Sequence, residues 1–190
     1  MTTRVLIAED ETLIRLDLRA QLENAGYVVC AEARDGEEAV QLTAAERPDI
    51  VLLDVKMPNV DGIDAARRIL AEAQLPIVLL TAYSDRELVS KAAGAGVFAY
   101  LTKPYRPADL APAIELALAR HRELEAVREE SASLADALAA RKSIERAKGL
   151  LMEREQLSEG EAFSRLRQAS QRSGQSLKVI ADAIVVAFGG

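Results

Sequence analysis

The sequence predicts an α/β fold, a doubly wound five-stranded parallel sheet, followed by a long connector helix and a small three-helix domain. Three observations predict it. Up to about residue 120, short apolar runs alternate with amphipathic stretches, as parallel strands joined by crossover helices do. From Pro107 to Arg154 there is no proline after Pro112 and no glycine before Gly149, and Ala, Leu, Glu and Arg dominate, which is the composition of a long helix. Two further stretches then carry helix-start signals and apolar residues at helical spacing.

The strand candidates are Val5–Ala8, Val28–Ala31, Ile50–Leu53, Ile77–Leu80 and Ala99–Leu101. All are apolar along their length, as strands covered on both faces should be. Helices are expected near Glu11–Ala25, Gly36–Glu46, Asp61–Ala73 and Arg86–Ala93, with another starting at Pro107, where proline suits a first helical turn. Farther along, Leu124, Val127, Leu134 and Leu138 occupy a and d positions of a heptad frame that Ser131 interrupts. That stretch is either a homodimerising coiled coil or a solvated linker. Ser158 and Glu161 form a capping box ahead of Ala162, Phe163, Leu166 and Ala169. Ser173-Gly174-Gln175-Ser176 then reads as a turn, with Ser176 capping a helix whose stripe is Leu177, Ile180, Ala181, Ile184 and Phe188. The expected domains are residues 1–120, a helical coiled-coil-like linker at 121–140, and a three-helix module at 141–190.

Composition narrows the class. With 49% hydrophobic and 28% charged residues, the chain is not a disordered one. The single cysteine, Cys30, cannot form an internal disulfide and sits in an apolar run, which fits a reducing compartment. No secretory leader or membrane-length apolar run is evident, so no membrane association and a cytoplasmic location are expected. Residues 1–140 hold 15 Lys+Arg against 24 Asp+Glu, a balance of −9, whereas residues 141–190 hold 9 against 6, a balance of +3. The first part should repel nucleic acid; the last part could meet phosphates.

Chemistry concentrates where strands end. The carboxyl ends of the first, third, fourth and fifth strands deliver Glu9 and Asp10, Asp54, Thr81 and Lys103. In a doubly wound sheet these ends converge on one crevice. Crowded carboxylates invite a hard divalent cation, for which Mg²⁺ is the natural guest. Asp54 could then act as a nucleophile toward phosphorus, with Lys103 neutralising the transferring oxygens and Thr81 bonding the product. Each residue alone has a plainer reading: Asp10 could cap the first helix, and Asp54 could form a turn.

Residues 4–120 resemble the receiver domains of two-component response regulators, a flavodoxin-like fold. The resemblance is carried in order by Ala8-Glu9-Asp10, by Leu53-Asp54-Val55-Lys56-Met57-Pro58 with Asp61-Gly62, by Leu80-Thr81-Ala82, and by Lys103-Pro104. It implies that a partner sensor histidine kinase phosphorylates Asp54. It also implies that Glu9, Asp10 and Asp54, with the backbone carbonyl of Lys56, hold Mg²⁺, and that the Lys103-Pro104 bond is cis. Thr81 and Tyr100 match the switch residues, Tyr100 resembling the aromatic that changes rotamer; a core tyrosine would look the same. The chain shows no kinase of its own and no separate catalytic output. Its one histidine, His121, is expected to face solvent, and no glycine-rich phosphate loop is evident.

Output should therefore be by binding. A DNA-reading helix needs basic and amide side chains, yet the stretch after Ser176 offers only Lys178 among its bases. Positive charge lies instead on Arg141, Lys142, Arg146, Lys148, Arg154, Arg165, Arg167 and Arg172. Residues 141–188 resemble the ANTAR module of transcription antitermination regulators. The matching stretches are Ile144 to Met152 with its Ala147-Lys148-Gly149 core, Ser158-Glu159, Ala162-Phe163, Leu166, Ala169, Ser176-Leu177, Val179 and Ala181. The resemblance implies binding to paired hairpins of a nascent transcript, preventing a terminator from forming. Arg146, Lys148, Arg165 and Arg167 are the candidate RNA contacts. For these cations the plainer reading is a solvated face with pairs such as Glu161 and Arg165. Mid-helix Gly149 calls for the close approach of another helix or of RNA backbone. Phe163 and Phe188 are expected in the core, leaving few rings for stacking on bases. The alternative outputs are DNA binding and a purely protein-interacting helical tail.

Overall fold

The computed structural model describes residues 2–82 and 97–188. The helix expected at Arg86–Ala93 lies outside the described residues. The chain divides into two compact units, Met1–Glu125 and Ala126–Gly190.

In the first unit the elements run β1 (Arg4–Ala8), α1 (Thr12–Asn24), β2 (Val28–Ala33), α2 (Gly36–Glu46), β3 (Ile50–Asp54), α3 (Gly62–Glu72), β4 (Ile77–Ala82), β5 (Ala99–Lys103) and the start of α4 (Pro107–Glu155). Every described strand pair is parallel, in the order β2-β1-β3-β4-β5. Alternate residues of each central strand face opposite ways. Leu6, Ala8, Val51, Leu53, Ile77 and Leu79 therefore pack with Ala39, Val40, Ile63, Ala66 and Ile69 of α2 and α3. Val5, Ile7, Ile50, Leu52, Val78 and Leu80 pack with Leu18 and Leu22 of α1 and Leu110, Ile114 and Leu118 of α4. β2 and β5 are the edges and only partly buried, which is why β2 accommodates Glu32.

Two aspartates start helices. Asp35 accepts a bond of 2.8 Å from the Glu38 N–H, and Asp61 accepts from Ile63 and Asp64 at 2.9 and 2.8 Å. Gly62 follows because nothing larger fits: a Cβ there would run into the carbonyl of Asp54. The β3 carboxyl end and the α3 N-terminus are thus held in backbone contact.

In the second unit, the C-terminal part of α4, α5 (Glu159–Ser173) and α6 (Leu177–Phe188) enclose Ala147, Leu151, Ala162, Leu166 and Ala181. The expected capping box is present, with the Ser158 N–H donating to Glu161 at 2.9 Å. Ser176 accepts from the Val179 N–H at 3.4 Å, as read from the sequence. Gln156 (φ 57°) and Gly174 (φ 69°) turn the chain out of α4 and α5 through the left-handed region.

Candidate functional site

The parallel sheet delivers the predicted crevice residues to one end, that of the strands' carboxyl termini. Glu9 follows the last residue of β1, Asp54 ends β3, Thr81 lies one residue beyond the Asp54↔Leu80 pairing of β3 with β4, and Lys103 ends β5. Carboxylate oxygens of Glu9, Asp10 and Asp54 lie within 4.8 Å of one another. Glu9 is fully buried and Asp54 nearly so, while Asp10 is exposed. Lys103 Nζ bridges the two buried acids, 2.6 Å from Glu9 and 3.1 Å from Asp54. Asp10 does not cap α1: the N-cap position is Glu11, which makes no side-chain cap bond.

Burial decides the electrostatics. It pushes both acids above their ordinary pKa values; the Lys103 bond opposes this at Glu9, and the attraction of Lys103 opposes it at Asp54. For Lys103 itself burial pulls downward, but the bonds and attraction of Glu9 and Asp54 together outweigh it and hold the ammonium above its ordinary value. Glu9 and Asp54 share the Lys103 ammonium, and the third carboxylate, Asp10, crowds within 4.8 Å of both, so negative charge is concentrated in a poorly solvated place. That donor set, all oxygen, fits a hard divalent cation.

The neighbouring predicted residues take different positions. Thr81 is buried and its hydroxyl donates to the Ala82 carbonyl at 3.1 Å. Tyr100 is 54% exposed, so it is not the core tyrosine that the sequence left open. The Lys103-Pro104 bond is cis. One feature went unread in the sequence, and one was read differently. Arg15 is 7% exposed and its Nη1 donates to the Glu9 carbonyl at 2.6 Å, a contact that no residue pattern signals. His121, expected to face solvent, is half-buried, and its ring meets Phe98 edge-on with centroids 5.4 Å apart.

In the second unit the four candidate cations separate. Arg146, Arg165 and Arg167 are exposed, Arg165 lying 3.3 Å from Glu155 rather than pairing with Glu161, whose carboxylate serves the capping box. Lys148 is 9% exposed, with its ammonium 2.9 Å from Glu145 and 2.6 Å from Glu159 in the first turn of α5. It reads as a brace between α4 and α5 rather than as a free surface cation. Gly149 is exposed, and a Cβ built there meets nothing within 4 Å, so the close approach of another helix is not its reason in this unit. Phe163 is 42% exposed, not a core ring. Leu124, Val127, Leu134 and Leu138 are all exposed along α4. No helix among the described residues is long and apolar enough to cross a membrane.

A five-stranded parallel sheet with this acid–lysine crevice, joined to a helical module, defines a response regulator. Residues 5–115 match the response regulator receiver domain and residues 132–185 match the ANTAR domain; the chain belongs to the response regulator family and carries an ANTAR output domain. Over 186 residues it is 48% identical to the transcriptional regulatory protein PdtaR of Mycobacterium tuberculosis, covering 98% of this chain and 91% of that one. The chemotaxis protein CheY of Thermotoga maritima is 35% identical over 115 residues, 60% of this chain and 96% of its own. Among solved structures, the receiver domain of a modulated diguanylate cyclase from Desulfovibrio desulfuricans superposes with a TM-score of 0.60 at 37% identity, covering 64% of this chain and 98% of that chain. A CheX–CheY–BeF3–Mg²⁺ complex from Borrelia burgdorferi gives a TM-score of 0.56 at 27% identity, over 59% of this chain and 86% of that chain. The chain is thus a phosphorylation-responsive regulator with an RNA-binding output.

Proposed function

We propose that Asp54 is the phosphoacceptor for a sensor histidine kinase and that residues 141–190 bind RNA hairpins of a nascent transcript to cause antitermination. The observation carrying this reading is the convergence of Glu9, Asp10 and Asp54 within 4.8 Å of one another, with Lys103 bridging Glu9 and Asp54. Glu9, Asp10 and Asp54, with the Lys56 carbonyl, would hold Mg²⁺, as the Mg²⁺ in the Borrelia complex supports for a related fold. When bound, the ion neutralises the carboxylates and the phosphoryl oxygens. An Asp54 carboxylate oxygen attacks phosphorus in line; its new P–O bond forms as the P–N bond of a phosphohistidine donor breaks, the electron pair leaving on the imidazole. Lys103 exchanges its Asp54 contact for a phosphoryl oxygen. Thr81 redirects its hydroxyl from the Ala82 carbonyl to the same group, and the exposed Tyr100 ring turns inward behind it.

For the output, Arg146, Arg165 and Arg167 meet RNA phosphates, and Lys148 acts through the α4–α5 geometry. The exposed Leu124, Val127, Leu134 and Leu138 support pairing of two copies, which would raise affinity for a double hairpin by making the second contact intramolecular. Labelling with a small phosphodonor, with and without Mg²⁺, in wild type and Asp54→Asn, tests the first half. Mobility shifts with single-hairpin RNA, double-hairpin RNA and duplex DNA at two salt concentrations test the second. Binding to DNA alone would replace the antitermination reading with a DNA-binding output.

A further inference from the structure

We propose that Arg15 is a positioning residue for the divalent-cation site, fixing the Glu9–Asp10 peptide from which the exposed metal-binding carboxylate projects. This rests on the reading of Glu9, Asp10 and Asp54 as the cation site. The chain leaves the sheet at the end of β1, where the Glu9 N–H still bonds to the Ala33 carbonyl at 3.1 Å. The Glu9 carbonyl accepts instead from Arg15 Nη1 at 2.6 Å. The backbone of Glu9 is therefore pinned on both sides, by β2 and by α1. The orientation of the next peptide, and with it the direction of Asp10, follows from that plane.

The guanidinium suits the task. Its Nε lies 3.4 Å from Glu32, which in turn accepts from Arg19 at 2.6 Å, so Arg15 is itself held in place while it holds Glu9. A buried cation is costly unless paired, and here its partners are a β2 carboxylate and the carbonyl of the crevice backbone. A lysine offers a point charge and cannot present a rigid fork to both. Arg15 also sets a positive charge one peptide from the crowded acids. Groups that orient a ligand through its own backbone act on affinity without touching the ion.

The test uses the full chain. Mg²⁺ affinity is measured by titration calorimetry at fixed ionic strength in wild type, Arg15→Met, Arg15→Lys and Leu18→Ala. The last is a core variant of the same helix that loses stability without touching Glu9. Arg15→Met is expected to bind Mg²⁺ about tenfold more weakly, with Arg15→Lys intermediate and Leu18→Ala unchanged. In the metal-free protein the Asp10 amide resonance should move in Arg15→Met and stay in Leu18→Ala. Wild-type affinity in a folded Arg15→Met overturns the proposal, as does an equal loss in Leu18→Ala, which would mean general loosening. Should Arg15→Met not fold, wild-type affinity in Arg15→Lys overturns it equally. A wild type that binds no Mg²⁺ removes the underlying site reading, a distinguishable failure.

Discussion

The two units handle charge in opposite ways. The first takes it out of water: Glu9, Asp54 and Arg15 are buried, and Lys103 is largely shielded. It can do so because two aliphatic layers, one on each face of the sheet, outweigh the desolvation. The second unit buries five apolar side chains among its described residues, three of them alanines, and leaves its arginines exposed. A core that small cannot sustain much buried charge, and Lys148 with its two glutamates is the exception it accommodates. Where function needs altered chemistry, the fold spends apolar area to alter it; where function needs only a charged surface, little is required.

The sharpest way to break that comparison is Asp54→Asn. Labelling by a phosphodonor should vanish, and in metal-free protein the melting temperature should rise, because a carboxylate whose pKa is pushed up by burial has been replaced by a neutral isostere. Lys103→Ala should do the reverse, lowering the melting temperature by leaving Glu9 and Asp54 uncompensated. A lower melting temperature for Asp54→Asn would mean that the crevice does not store unfavourable charge.

Next comes Leu166→Ala. Leu166 is fully buried in the small core, and its loss should cost about 2–5 kcal/mol, enough to unfold a marginal module. Calorimetry should show the C-terminal transition shifted or lost while Asp54 labelling persists. Loss of labelling as well would show that the two units fold as one.

The receiver was legible because its signals are redundant. All five strands were visible as apolar runs, and the crevice followed from where polar residues interrupt them, since parallel topology fixes which strand ends meet. Asp35 and Asp61 cap helices by local bonds that sequence spacing also encodes. Arg15 was invisible because the crevice group it holds is a backbone carbonyl, and carbonyls have no letter in the sequence. The pairing of Lys148 was invisible for a related reason: whether a lysine on an amphipathic helix meets solvent or two glutamates depends on how α5 packs, not on the residue. Phe163 shows the same limit, its position on the apolar stripe placing it at the rim rather than in the core.

The Lys148 brace separates from the surface arginines by salt. Arg146→Ala should weaken RNA binding evenly across sequences and reduce the salt slope by about one unit, as loss of one phosphate contact does. Lys148→Met should lower the melting temperature of the module and leave the salt slope nearly unchanged. The brace should also be acid-sensitive. Lys148 holds the Glu159 carboxyl below its ordinary 4.5, so the folded module binds that proton less readily than the unfolded chain. The associated stability is present above that value and is lost as pH falls through the depressed one. An equal drop in salt slope for Lys148→Met would return Lys148 to the RNA surface.

The smallest expected effect concerns Gly149→Ala. A glycine in mid-helix costs about 1 kcal/mol relative to alanine, and here the added methyl meets no atom within 4 Å, so the variant should raise the stability of the module by about that amount. A stabilising change that the fold permits, at an exposed position, points to a requirement outside the fold. Arg146 lies one turn before Gly149 and Lys142 two turns before it, on the same face of α4 and opposite the buried Ala147 and Leu151. RNA backbone drawn in by those cations would come closest where no side chain stands. The expected outcome is a higher melting temperature together with weaker RNA binding, opposite signs that no general loosening produces. Equal RNA affinity in the stabilised variant would place the RNA on another face, and the exposed arginines of α5 would then be the ones to remove.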